Sequence, residues 1–105
     1  MYLPDKYKNF SKEYPEIFEI FKDLGIKVRE SGPLDEKSQN LIKLGIAVGS
    51  SSRGGVMSNT RKALESGCSK EEIKHAILLS LSTTGFPAMI AALNWANEVL
   101  EKDGK

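Results

Sequence analysis

One cysteine and one histidine in 105 residues leave little room for the commonest metal and redox chemistries. A single thiol forms neither an internal disulfide nor a CxxC pair, and one added imidazole cannot complete a Cys/His zinc site. No metal and no cofactor are expected. An excess of one charge is missing as well: 15 Lys plus Arg stand against 14 Asp plus Glu, a net charge of +1, and the two signs alternate along the chain. Such a chain has no field to hold a phosphate backbone, so nucleic acid is not an expected partner. Apolar stretches stay short of the ~20 residues that cross a bilayer. Met1 to Lys6 lack the basic region and apolar run of a signal peptide. A soluble, cytoplasmic protein without a membrane partner is therefore expected. Period-two alternation and β-branched clusters, the marks of strands, are absent too.

What remains is helical spacing, in a chain whose length and 40% hydrophobic content suit a single domain over residues 1–105. The pattern predicts an all-α bundle of about five to six helices. A polar helix near Asp5 to Glu13 comes first. Pro15 suits the first turn of the next, along which Ile17, Phe18, Phe21, Leu24 and Val28 recur until Ser31-Gly32-Pro33 stops it. Asp35 and Glu36 open a third helix with the stripe Leu41, Leu44, Gly45 and Val48. The only Gly/Ser-rich stretch, Gly49 to Gly55, leads into a helix from about Gly54 to Ser66, with Gly67 placed for a left-handed cap. Ser69 and Glu72 then form a capping box at the start of a helix expected to run through Ser82. Lys102 to Lys105 read as a fraying tail.

The helix after Ser69 is apolar on two sides, with Ile73, Ala76, Ile77, Ser80 and Leu81 opposite His75, Leu78, Leu79 and Ser82. From Ala88 to Trp95 the last helix is apolar almost all round. So short a chain cannot easily cover both, so a homo-oligomer is expected; the plainer alternative is a monomer with both helices at its centre.

Three separated signatures occur in order: Leu34-Asp35-x-Lys37-x-x-x-Leu41-Ile42-x-Leu44-x-x-Ala47, then Arg61-Lys62-Ala63-Leu64-x-x-Gly67-Cys68-Ser69-x-x-Glu72-Ile73, then Gly85-Phe86-Pro87-Ala88 with Ala91 to Leu100. Together they resemble the carboxymuconolactone decarboxylase-like family, which includes the alkylhydroperoxidase D-type peroxidases. The resemblance implies an alkylhydroperoxidase D-like helical fold, a homotrimer or homohexamer, and a site where the helix after the Gly/Ser-rich loop begins.

In the peroxidase branch that site is a CxxC followed by a His, with a Glu one helix earlier. Aligning on Ala63 and Gly67 places the thiols at Ser52 and Gly55, the imidazole at Asn59 and the carboxylate at Asn40. A hydroxyl, a glycine and two carboxamides supply no thiolate, no resolving thiol and no base. Thiol-peroxidase turnover by the family mechanism is not expected. The decarboxylase branch keeps a histidine where this chain has Asn59, and a carboxamide transfers no proton at neutral pH.

Three functions are weighed on these residues. In the first, a redox-inactive relative binds or transforms a small carboxylate or lactone, with carboxy-lyase-like chemistry at Asn59 and Ser52. Helix N-termini bind anions, so Arg53, Gly54, Gly55 and the Ser50 to Ser52 hydroxyls form the expected anion site, with Asn40 and Asn59 as a neutral pair on the buried side. Simple capping by Ser52, a solvated Arg53 and asparagines bridging two helices are the plainer alternatives. His75, the one side chain that titrates near neutrality, is a candidate acid donated across a subunit boundary, or else an ordinary surface histidine. The second function is a non-catalytic structural or interaction oligomer. The third is residual peroxidase activity through Cys68, a residue otherwise read as structural.

Overall fold

A computed structural model describes residues 5–103. Gly104 and Lys105 of the expected tail lie outside them. Six α-helices are described: α1 Asp5–Glu13, α2 Pro15–Glu30, α3 Glu36–Gly49, α4 Arg53–Glu65, α5 Lys70–Leu78 and α6 Phe86–Asp103, with a 3-10 turn at Leu79–Ser82. No strand occurs among the described residues. Contacts divide the chain into two compact units that meet in sequence between Pro33 and Leu34.

The first unit holds α1 and α2. Pro15 sits in the first turn of α2, where its missing N–H is no loss. The ring of Phe10 packs against Tyr14 at 5.5 Å and edge-on against Phe18 at 6.4 Å. Neither helix has a buried residue.

Side-chain caps start each helix of the second unit up to α5, because the first N–H groups of a helix have no internal partner. Asp35 accepts from Ser38 N–H ahead of α3, Ser52 from Gly55 N–H ahead of α4, and Ser69 from Glu72 N–H ahead of α5. The Glu72 carboxylate returns to Ser69 N–H at 2.8 Å, which completes the capping box expected from the sequence. Ser69 N–H, followed by the cation of Lys37, holds Glu72 below its ordinary pKa; the Ser38 hydroxyl and N–H do the same for Asp35.

Helix ends are closed just as locally. Gly67, at φ 97°, donates to Leu64 O and Cys68 N–H to Ala63 O, the paired bonds of a Schellman motif. Cys68 follows as the apolar residue that this motif tucks inward, and it is 4% exposed. The same pair of bonds closes α3, from Ser51 N–H to Val48 O and from Ser52 N–H to Ala47 O. Here the left-handed residue is Ser51, at φ 53°. A serine pays a steric penalty for that conformation which glycine avoids.

Seams from all four long helices of this unit build the core. They are Leu44, Ala47 and Val48 on α3, Val56 and Ala63 on α4, Ile73 and Ile77 on α5, and Met89, Ala92, Ala96 and Leu100 on α6. The stripe expected on α3 is displaced by one residue, since Leu41 and Gly45 are only half-buried while Ala47 is inside. On α6 the chain itself covers the second apolar face, leaving Ile90, Leu93 and Trp95 half-buried. The second face of α5 stays open, with Leu78 at 51% and Leu79 at 62% exposure.

α5 stops at Leu78 instead of continuing to Ser82. Ser80 Oγ bonds Ile77 O at 2.6 Å, and the hydroxyls of Thr83 and Thr84 both bond Ser80 O. Hydroxyls that take up nearby carbonyls compete with the helical ladder and favour a tighter turn. That turn carries Leu81 out to 42% exposure, away from the face shared by Ile73 and Ile77.

Candidate functional site

Ser50, Ser52, Arg53 and Gly55 lie at the connection between α3 and α4, while Asn40 sits near the start of α3 against the far end of α4. Ser50 Oγ donates to Ile46 O at 3.0 Å and to Ala47 O at 3.2 Å. Ser52 Oγ accepts from Gly55 N–H at 3.0 Å. One hydroxyl of the expected anion site is thus turned onto α3, and the Gly55 amide is already engaged by the helix cap. Gly55 is also confined: a Cβ built there would lie 2.8 Å from Ser52 Oγ and 3.0 Å from Ala47 Cβ. Close approach of two helices, rather than room for a ligand, accounts for this glycine.

Arg53 is paired while still open to solvent. Its guanidinium bonds Glu98 of α6 at 2.9 Å, both side chains being about half exposed. A ligand carboxylate would have to displace that glutamate. Glu98 lies 45 residues from Arg53 and has no signature of its own in the sequence.

Asn40 and Asn59 do not form the expected pair. Asn40 is 1% exposed and donates to Lys62 O at 3.1 Å and to Ser66 Oγ at 3.0 Å, so it bridges α3 to the end of α4. Asn59 donates to Gly55 O, one turn back on its own helix, at 2.9 Å. The reason is the seam of α4: the residues facing inward are Val56, Thr60 and Ala63, at spacings of four and seven, and Asn59 falls on their flank. Its Oδ1 is nonetheless buried and has no hydrogen-bond partner, a rare state for a polar atom.

His75 belongs to another surface. It is exposed on α5 and lines an open cavity of about 450 Å³ between α3, α5 and the 3-10 turn, together with Leu41, Ile42, Gly45, Ala76 and Leu79. The sequence shows the apolar residues of each helix, but not that the two half-buried flanks of α3 and α5 meet to form one concavity. Cys68 is buried with Sγ 3.9 Å from Lys37 O, and it is not among the residues of that cavity. Among the described residues no group of three or more His, Cys, Asp or Glu side chains could hold a metal ion. None of the described helices is long and apolar enough to cross a membrane.

Compared with known proteins, residues 15–98 match the Carboxymuconolactone decarboxylase family. Two proteins of Methanocaldococcus jannaschii are similar over most of their length. The chain is 29% identical over 103 residues to the uncharacterized protein MJ0742, covering 97% of this chain and 95% of that one. It is 31% identical over 88 residues to the uncharacterized protein MJ1511, covering 84% and 82% respectively.

Proposed function

The chain belongs to the carboxymuconolactone decarboxylase family, and from that premise we propose that it acts as a homo-oligomer without thiol chemistry, its role residing in its subunit surfaces. One observation carries this reading. The residues standing where the resemblance places a thiol, imidazole or carboxylate are engaged within the chain: Ser52 with Gly55 N–H, Asn59 with Gly55 O, and Asn40 with Lys62 O and Ser66 Oγ. No thiolate, base or resolving thiol stands among the four. Exposed large hydrophobic side chains such as Ile20, Phe21, Ile46 and Leu79 support the oligomer, since contiguous exposed apolar surface marks contact sites.

The test has two arms. Sedimentation of the purified chain gives a mass above that of one copy, and a peroxide-consumption assay with a dithiol reductant gives turnover no greater than a Cys68→Ser variant. Turnover that depends on Cys68 refutes the non-redox reading, and a monomer at micromolar concentration refutes the oligomer.

A second reading has one observation in its favour, the partnerless Oδ1 of Asn59. That atom accepts hydrogen bonds, so it calls for a ligand hydroxyl and repels a carboxylate. A small hydroxy acid carries both groups that this reading calls for, a hydroxyl for Asn59 and a carboxylate for Arg53 in exchange for Glu98. Binding of such an acid raises the melting temperature by mass action, and Asn59→Leu abolishes the rise. A panel of hydroxy acids and lactones that leaves the melt unchanged removes this reading.

A further inference from the structure

We propose that α2 of one copy lies in the groove between α3 and α5 of a second copy; this rests on the homo-oligomer reading and names its surface. On α2, Ile17, Ile20, Phe21, Leu24 and Val28 follow the spacing of one helix face within an arc of about 100°. Their exposures run from 56% to 69%. Phe18, at the edge of that arc, is the one that turns to Phe10. A two-helix unit with no buried residue has no core to hold it, and isolated helices of this length are marginal in water. An apolar stripe of this kind on a helix calls for a groove.

Such a groove exists on the same chain. Its lining includes the small residues Gly45 and Ala76 and the larger Leu41, Ile42 and Leu79, beside the polar Glu72, His75, Ser80, Thr83 and Thr84, with Ile46 and Leu78 exposed alongside. Large side chains spaced three and four apart complement small residues in a groove, as knobs complement holes. The areas agree as well. Each large side chain that is about six-tenths exposed leaves roughly 100 Å² open. Each copy then brings roughly 500 Å² from its stripe and a similar area from its groove, against the roughly 800 Å² per partner of a stable interface. A second copy is the occupant that supplies stripe and groove in equal number. These areas support closure as a reciprocal dimer, in which one pair makes the contact twice; a ring contact would bury only roughly 500 Å² per partner.

The experiment uses the full chain. Phe21→Asp acts on the stripe, and Gly45→Trp plugs the groove from a position where an added Cβ meets nothing within 4 Å. Each is expected to weaken self-association about thirtyfold in sedimentation equilibrium, with helicity unchanged by circular dichroism. As an independent arm, Phe21→Cys chains are mixed with Gly45→Cys chains and treated with a short thiol-to-thiol cross-linker, Cys68 being buried. The mixture gives a two-chain product that neither variant gives alone. An oligomer undisturbed by both bulky variants, with no product in the mixture, overturns this assignment and leaves the homo-oligomer standing. A wild-type monomer overturns both. A double Phe21→Cys/Gly45→Cys chain that links only within itself shows the groove filled by its own α2, and that too overturns the proposal.

Discussion

Adding one methyl group at Gly55 tests whether the site has been closed by packing. In an exposed helix interior, Gly→Ala stabilises by up to about 1 kcal/mol, because alanine loses less backbone entropy on folding. At Gly55 the new Cβ would meet Ser52 Oγ at 2.8 Å and Ala47 Cβ at 3.0 Å. Ser52 could rotate away, but its Oγ accepts Gly55 N–H, and losing that cap costs about 1 kcal/mol. Ala47 is 6% exposed on α3 and cannot yield without moving the helix. Overpacking of this kind costs about 1–3 kcal/mol. The sum favours the wild type by roughly 1–3 kcal/mol, or a melting temperature lower by roughly 4–20 °C for a domain of this size. Gly25→Ala, in the exposed interior of α2, is the control, since nothing lies within 4 Å of its added Cβ, and it should stabilise by up to about 1 kcal/mol. Urea unfolding followed by circular dichroism at one fixed chain concentration measures both, because an oligomer's stability depends on that concentration. Were Gly55→Ala to stabilise the chain as much as Gly25→Ala, the packing argument at Gly55 would fail.

Three further outcomes follow from individual contacts. Asn40→Ala removes two part-buried hydrogen bonds, to Lys62 O and Ser66 Oγ, and should destabilise by about 1–3 kcal/mol in the same urea assay, whereas a surface change such as Lys22→Ala should be silent. Arg53→Ala breaks an exposed ion pair, so its cost should stay under about 1 kcal/mol; a larger loss would mean that the pair is coupled to the core. Glu72 and Asp35 titrate below their ordinary values in the folded chain, so the unfolded chain binds protons first as the pH falls. Their contribution is complete above the ordinary carboxylate range. It is lost as the pH drops below the ordinary glutamate value of 4.5 toward the lower folded one. Melting temperature against pH should show this decline, and Glu72→Gln should flatten it.

The resemblance marked candidate positions, while their packing was legible only in part. That Ser52 caps α4 could be read locally, since a serine three residues before a helical N–H is a common start signal. That Gly55 is pressed against Ala47, or that Asn59 misses the buried seam by one position, depends on how α3 approaches α4. Spacing within one helix holds no record of the distance to another. Arg53 and Glu98 make the same point: charges 45 residues apart meet only because α4 packs on α6. The open face of α2 had no signal at all. Its stripe has the periodicity of any buried helix face, and periodicity does not tell whether the covering surface belongs to the same chain.

With one cysteine, one histidine and no strand pattern, the amino-acid sequence determined by itself that this chain is helical and that Ser69 and Glu72 cap a helix start. Those are local matters, set by a few neighbouring backbone groups and the side chains within a turn of them. Only the tertiary structure decided that the replacements at Ser52, Gly55, Asn59 and Asn40 bond to backbone instead of facing an open pocket, and that the apolar surplus lies on α2 and the α3–α5 groove rather than on α6. Burial depends on which surfaces meet across the fold, and that is settled by packing.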